Sequence, residues 1–343
     1  MNDRTVKIKA PLTAVNEVSR LCDAGADEFF CGIEPREWAV KYPGLSISQR
    51  ARANNFPTFS ALEKAVSAAH RRKTRVHTAL NAFFHLPGQY DAALKIISGV
   101  FSLGADGVII SDPVLLSLLG NMDLRGKEII AGTDAVVFNA SAVDFYKRLG
   151  ATRIVLPRSL TVKEIEEITA VDKGVEYECF IIHDLCFFED GLCAYCKEQS
   201  GVGDLSGKQE KRVDCLLASR LPFNKHRGGC KNVFTRETFF SGRGGKPEKT
   251  LNYTFWGRKN IDGCGACAIY DFNRCGVDSL KVLDRTMPLN ERVKATRFIR
   301  DCLDLLRRDR DIARGEFIGR CRGIFEKTFM VPCGPQDCYY IWK

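Results

Sequence analysis

The repeating rhythm of the first half limits what this chain can fold into more than any other feature. Seven short β-rich runs, VKIKA (6–10), EFFCG (28–32), TRVHTAL (74–80), GVIIS (107–111), EIIAG (128–132), RIVLP (153–157) and VEYECFII (175–182), are spaced along it. Helical patterns lie between most of them: TAVNEVSRLCDAG (13–25), SALEKAVSAAHRR (60–72), QYDAALKIISGVFSLG (89–104), SAVDFYKRLG (141–150) and TVKEIEEITAV (161–171). Three of these stretches end in glycine, which takes the left-handed backbone of a helix C-terminus without a Cβ penalty. Strands alternating with helices over short links predict a parallel sheet. An eighth run, DSLKVL (278–283), is followed by the helix pattern NERVKATRFIRDCLDLLRR (290–308). The expected fold class is therefore α/β, a (β/α)8 TIM-type barrel with a long cysteine-rich insertion after strand seven. An open doubly wound sheet is the alternative. The expected divisions are 1–182 for strands one to seven, 183–277 for the insertion, and 278–343 for strand eight, the closing helix and the tail. Phosphate-binding GxGxxG and GxxxxGK[ST] loops are absent, which weakens a nucleotide-binding reading.

Composition is that of a globular chain, 45% hydrophobic and 27% charged. The N-terminal MNDRTVKIKA lacks the apolar core of a signal peptide, and no run approaches the roughly 18 apolar residues of a membrane span. The expected compartment is the cytoplasm. The formal charge of +9 is concentrated: between Leu205 and Asn260 there are 13 Lys or Arg against 4 Asp or Glu, 13 − 4 = +9. Such a stretch reads as a solvated loop or as a surface for an anionic partner, RNA or a carboxylated metabolite, with no DNA partner expected.

Two of the 15 cysteines precede residue 179 and thirteen follow from there on. An odd number in a reducing compartment disfavours a disulfide framework, and core packing does not produce such a bias. CAYC (193–196) and CGAC (264–267) are pairs of the kind that bind zinc; iron–sulfur clusters also take four thiolates, which may be far apart in sequence. Spacing alone leaves zinc, iron–sulfur and non-metal readings open. The glycines of HRGGC (226–230) allow backbone N–H groups close to a thiolate or sulfide. Cys179 falls in a strand pattern and Cys275 and Cys302 in helical ones, where small core residues are expected. Cys333 and Cys338, in VPCGPQDCYYIW, read as a cap on the fold or as part of a second site. In a barrel the loop after a strand emerges on the C-terminal face, where chemistry is built, so the insertion reads as a cofactor lid.

The order of these motifs resembles the peptidase U-thirty-two family, the collagenase-like peptidases. The resemblance rests on KIKAPL with GADEFFCG, HTALN (77–81), GADGVIISDP (104–113), LGATRIVLPRSLTVKEI (149–165) and GVDSLKVLDR (276–285). It also rests on Glu178, Phe180, Cys186, Gly191 and Cys193, which match the family's glutamate, aromatic, cysteine and glycine-x-cysteine pattern. The resemblance implies a barrel bearing a [4Fe–4S] cluster, and hydroxylation of transfer or ribosomal RNA bases, or of the ubiquinone ring, without oxygen and with prephenate as hydroxyl donor. Carried over by motif, the implied ligands are Cys186, Cys193, Cys230 and Cys267, with Cys264 as the alternative fourth. A different set joins Cys31 and Cys196 to Cys186 and Cys193. The chain departs from the pattern at His183-Asp184-Leu185, where members carry glycine-alanine, and at KVLDR, where they carry lysine-isoleucine-glutamate-glycine-arginine. Its length of 343 residues resembles the ubiquinone type.

Polar residues at or near the strand ends, His77, Asn81, Asp112, Thr133, Asp134, Asn139, Arg158, Glu178 and His183, are expected at the barrel mouth. The catalytic candidates are His183, Arg158 and Glu178. Arg158 reads as a carboxylate grip or a structural ion pair, His183 as a cluster-tuning or proton-donating group or a structural histidine, and Asp112 as a turn residue. With neither a GxSxG elbow nor an HExxH helix, hydrolase chemistry has no support of its own. The expected function is iron–sulfur-dependent hydroxylation of an RNA base or small ring compound. The alternatives are a metallopeptidase-like hydrolase and a non-catalytic iron–sulfur subunit needing a partner barrel protein; an electron donor is a further expected partner.

Overall fold

The computed structural model describes residues 6–42, 46–48, 54–120, 122–171, 174–184, 191, 235–241, 247–254, 263–334 and 338–340. Seven strands in the first half follow the sequence pattern: β1 (Lys7–Pro11), β2 (Glu28–Gly32), β3 (Arg75–Ala79), β4 (Gly107–Ile110), β5 (Glu128–Ala131), β6 (Arg153–Val155) and β7 (Glu176–Ile182). The insertion contributes an antiparallel pair, β8 (Thr235–Ser241) and β9 (Pro247–Thr254), which the sequence reading did not foresee. β10 (Ser279–Val282) then enters between β7 and β1. The ring order is β1-β10-β7-β6-β5-β4-β3-β2, closed and parallel throughout. Closure removes the open-sheet alternative and leaves the barrel itself without a sheet edge.

Helices cover the ring from outside. The expected ones form as α1 (Val18–Asp23), then, after the short α2 (Arg36–Lys41), α3 (Phe59–Arg71) and α4 (Tyr90–Ser102). α5 (Pro113–Leu119), α6 (Ala140–Arg148), α7 (Val162–Val171), α8 (Ile269–Cys275), α9 (Leu289–Arg308) and α10 (Arg314–Phe329) follow. α5 grows from the Asp112-Pro113 pair that reads as a turn. Asp112 is the N-cap, its Oδ1 accepting from the N–H groups of Val114 (2.8 Å) and Leu115 (3.2 Å), and Pro113 is the first helical residue, where its missing N–H costs nothing. α10 buries Phe317, Cys321, Phe325 and Phe329, a stripe four residues apart. Its Phe325 and Phe329 rings pack on Phe298 of α9 at 5.7 and 5.3 Å. Gly25 closes α1's turn at φ 104°, and its carbonyl accepts from Arg300 Nη2 of α9 at 2.6 Å.

A barrel lumen is ordinarily filled by layers of branched apolar side chains; the N-terminal half of this one is filled by charge. β2 and β6 stand opposite each other in the ring, yet Arg153 Nη1 and Nη2 donate to Glu28 Oε2 (2.5 Å) and Oε1 (2.9 Å). That bond can only span the lumen. Arg153 also reaches Glu128 (3.0 Å), Glu176 (2.5 Å) and Glu178 (3.3 Å). Lys9 donates to Glu178 and lies 3.5 Å from Glu28, and Lys281 lies 3.0 Å from Glu178 Oε1. Lys9, Glu28, Arg153 and Glu178 are buried almost completely. Burial pushes the Lys9 pKa down to about 8, with Arg153 adding to the effect and the carboxylates opposing it. Burial would raise Glu178, but Lys281, Lys9 and Arg153 outweigh it and hold the carboxyl far below its usual range.

Candidate functional site

Two residues expected at the mouth lie within the lumen. His77, in the middle of β3, is buried with Nε2 3.2 Å from Glu128 Oε2. The two atoms are close but not aligned as a hydrogen bond. Burial, followed by nearby Lys9, lowers the His77 pKa, so the ring is held neutral. Burial opposes ionisation of Glu128, but His77 and Arg153 hold its pKa at about 2. Glu178, in the middle of β7, is the hub for Lys9, Lys281 and Arg153. Position along the strand explains both: each sits two or more residues before its strand's end, at lumen depth. Glu28, His77 and Glu128 have donor atoms within 4.8 Å of one another. Arg153 and Lys9 already supply cationic charge to that trio, which makes it part of the ion network.

At the C-terminal end of β7 the chain turns sharply. His183 and Asp184 both take left-handed backbone, φ 69° and 56°, which non-glycine residues adopt only where the surroundings hold them there. The holding contacts come from the far end of the insertion. His183 N–H donates to Gly263 O (2.9 Å), and Gly265 N–H donates to Ile181 O (2.7 Å). Cys264 thereby becomes the antiparallel partner of Ile182, and Cys338 of the tail pairs alongside Cys264 in turn. Tyr339 N–H donates to Cys264 O at 3.0 Å, and Tyr340 Oη donates to Phe180 O at 2.8 Å. The return of the insertion and the C-terminal tail are thus both zipped onto the exit of β7.

Arg158, three residues beyond β6, donates to the Asp184 backbone carbonyl, lies 3.7 Å from Asp184 Oδ2, and stacks over the Phe180 ring at 5.1 Å. The structure brings Arg158 and the His183–Asp184 turn together and leaves Glu178 deeper. His183 is buried, and burial lowers its pKa to about 4, so the imidazole is neutral near pH 7. Gly191, between the expected ligands Cys186 and Cys193, rests on the loop after β5 with φ 81°. A Cβ there would collide with Asp134 O at 2.6 Å, so glycine is required for this approach. Asn81 Nδ2 donates to Asp134 Oδ2 at 3.1 Å, and Asn139 caps α6 through Ala142 N–H at 2.9 Å. Thr133 opens a short 3-10 turn beside them.

Sequence reasoning missed two constellations. His85 Nδ1 lies 2.9 Å from Asp112 Oδ2, and Tyr90 Oη donates to the same oxygen at 3.3 Å. Asp112 thus caps a helix with one oxygen and orients a buried histidine with the other; HTALN followed by a further histidine was the available signal. Arg285, just past β10, donates through Nη1 to Asn55 Oδ1 (2.9 Å), which also accepts from Ser48 Oγ (2.8 Å). It is the arginine retained in KVLDR.

The thiols divide in the same way. Cys31 is buried in the wall between β2 and β3, its Sγ 3.8 Å from His77 O, and burial pushes its pKa up to about 12. Cys179 and Cys302 are core residues, as expected, and Cys275 packs partly buried against the core. Cys264 and Cys267 stand on the returning segment. Cys186, Cys193, Cys196 and Cys230 lie outside the described residues.

An α/β barrel with a cysteine-bearing return at the exit of its seventh strand defines the class. The model of peptidase family U32 matches residues 13–331, and the chain belongs to that family. Among its relatives, the 23S rRNA 5-hydroxycytidine C2501 synthase of Escherichia coli is 28% identical over 54% of this chain and 26% of its own length. The tRNA hydroxylation protein P of Escherichia coli is 26% identical over 60% of this chain and 41% of its own. The chain therefore spans less than half the length of these relatives. The tRNA hydroxylation protein P2 of Bacillus subtilis is 25% identical over 87% of this chain and 86% of its own. A solved U32 peptidase covers 53% of this chain and 71% of its own at 15% identity and a TM-score of 0.42. Among the described residues no helix is long and apolar enough to cross a membrane.

Proposed function

We propose that this chain is an enzyme that hydroxylates a base of RNA without oxygen, using an iron–sulfur cluster held under the insertion. The observation that carries the reading is its match to relatives named for RNA hydroxylation, one of them aligned over 87% of this chain and 86% of its own. The local excess of 13 basic over 4 acidic residues between Leu205 and Asn260 supports it, since phosphate neutralisation dominates RNA affinity. Cys186, Cys193 and Cys230 are its proposed cluster ligands, with the fourth drawn from Cys267, Cys264 or Cys196. Soft thiolate donors suit such a group, which when bound supplies electron transfer or an iron that polarises the hydroxyl donor.

The chain's own residues serve the donor and the base. Prephenate, the proposed donor, carries two carboxylates, and Arg158 and Arg285 bring guanidinium groups to the strand ends, where planar forks bind carboxylates in bidentate fashion. His183, neutral through burial, can hold a proton on one ring nitrogen and accept one on the other. Mass spectrometry of RNA nucleosides from a strain lacking the gene, with and without a plasmid copy, tests the proposal. The expected result is loss of a nucleoside one oxygen heavier than its parent, restored by the plasmid. An unchanged nucleoside profile overturns the RNA assignment.

A further inference from the structure

The mouth of the barrel is unevenly furnished. Arg158 follows β6, Lys281 lies on β10, and Arg285 follows β10 and leans over Gly32 of β2. The ends of β3, β4 and β5 make up another arc of the ring. Side chains alternate along a strand, so the lumen-facing residues of these three strands follow upward from the charged layer. His77 leads to Ala79 and Asn81; Gly107, beside His77, leads to Ile109 and Ser111; and Glu128 leads to Ile130 and Gly132. Asn81, Ser111 and Gly132 therefore form the mouth layer of this arc.

The three converge. A Cβ on Gly132 would stand 2.7 Å from Ser111 Oγ, 3.2 Å from Ile109 Cγ2 and 3.7 Å from Asn81 Cβ. Gly132 has an ordinary φ of −69°, so the glycine serves room rather than backbone freedom. Two polar atoms here have no hydrogen-bond partner among the described residues: Ser111 Oγ, on a residue 2% exposed, and Asn81 Oδ1. The amide's orientation is fixed, because Nδ2 donates to Asp134 Oδ2 at 3.1 Å and an ionised carboxylate only accepts. Oδ1 therefore remains an acceptor. Buried polar atoms left unpaired are costly, and native folds retain few of them without a ligand or a water to satisfy them.

The chemistry of this arc selects its ligand. An anion would meet the Asp134 carboxylate, while the guanidinium groups that suit carboxylates stand at the ends of β6 and β10. A neutral ring with an N–H or amino donor suits Asn81 Oδ1, and Ser111 Oγ can donate to or accept from the neighbouring position on the same edge. Ile109 and Ile130, both buried, supply an apolar layer beneath. Nucleobases match this arrangement, with a flat stacking face and an edge of donors and acceptors. We infer that Asn81 and Ser111, over the space kept by Gly132, receive the edge of the RNA base, while the carboxylated hydroxyl donor binds on the arginine side. The inference rests on the RNA reading for its ligand. It sets the base across the mouth from the exit of β7, since β3 and β7 stand opposite each other in the ring.

The test is titration of the full-length protein, purified without oxygen, followed by saturation-transfer NMR. Uridine and cytidine are the base probes and prephenate the carboxylated one. Wild type is expected to bind at least one nucleoside. The Asn81→Ala/Ser111→Ala variant raises that Kd about tenfold or more, through two lost hydrogen bonds, and leaves prephenate binding within about twofold. Gly132→Ala, whose Cβ occupies the kept space, weakens nucleoside binding in the same direction. Thermal unfolding separates recognition from structure: Ser111→Ala removes a hydroxyl that no described residue pairs, so its Tm equals or exceeds that of wild type. The inference is overturned if wild type binds neither nucleoside, if the double variant binds as wild type does, or if prephenate binding falls in parallel. A Tm lowered by more than about 2 °C in Ser111→Ala also overturns it, since the hydroxyl then serves the fold. Nucleoside binding that depends on Asn81 and Ser111 upholds the subsite even where RNA from the deletion strain is unchanged, so its failure and that of the RNA reading are distinct.

Discussion

The middle of β7 and its exit use polar chemistry in opposite ways. At lumen depth, Glu178 is surrounded by Lys9, Lys281 and Arg153, and every charge in the group answers another. At the exit, just past the last strand residue Ile182, the backbone is held left-handed at His183 and Asp184 and the neighbours are thiols, a guanidinium and a neutral imidazole. Buried charges compensated this fully are architecture: they fix which strands face which, at little net gain in stability. Polar groups gathered on a strained turn at the C-terminal face are what barrel enzymes use for chemistry. The difference separates residues whose loss costs the fold from residues whose loss costs function.

The first way to break the comparison is to empty the lumen of its hub. Arg153→Met leaves Glu28, Glu176 and Glu178 facing one another, and urea unfolding is expected to show a loss of about 3–5 kcal/mol. Glu178→Gln is milder, because Lys9 retains Glu28 and Lys281 retains the ring faces of Phe30 and Phe180; about 2–3 kcal/mol is expected by the same measurement. Its nucleoside yield, per folded molecule, should equal that of wild type; a large drop in a stable protein would make Glu178 catalytic.

Acid sharpens the picture further. Glu28, Glu128 and Glu178 all have folded pKa values below the ordinary glutamate value of 4.5, with Glu128 at about 2. Their contribution is fully present above pH 4.5 and is lost as pH falls towards 2, because the unfolded chain takes up protons first. Stability followed by circular dichroism should fall steeply in that window, and the fall should be shallower in Glu128→Gln. Asp112→Ala removes the α5 cap as well as the partner of His85, for a loss of about 1–2 kcal/mol. At the bottom of the scale, Arg148→Ala breaks only an exposed pair with Asp144 and should change the unfolding free energy by at most about 0.5 kcal/mol.

The barrel was legible because each strand carries its own β-rich pattern between helices, down to DSLKVL as the closing strand. The charged lumen was not. KIKAP and RVHTA alternate charged or polar with apolar residues, EYECFII does so over its first four and EFFCG opens on a glutamate; taken singly, an alternating strand faces water on one side. Only closure turns all those polar faces onto one another, so His77 and Glu178 were expected at the mouth. The helix α5 was hidden because Asp-Pro serves equally as a turn and as a cap with its first residue. The thiol pairs were visible as motifs, but the pairing of Cys264 with Cys338 depends on where the tail lies, which no local spacing encodes.

The claim that chemistry belongs to the thiol-bearing exit while the lumen is architecture meets its most direct test in complementation. A deletion strain carrying the Cys186→Ser/Cys193→Ser variant at wild-type protein level is examined for the oxygen-bearing nucleoside. The account predicts that none is restored, while Glu178→Gln restores it in proportion to folded protein. Full restoration by the cysteine variant would contradict it.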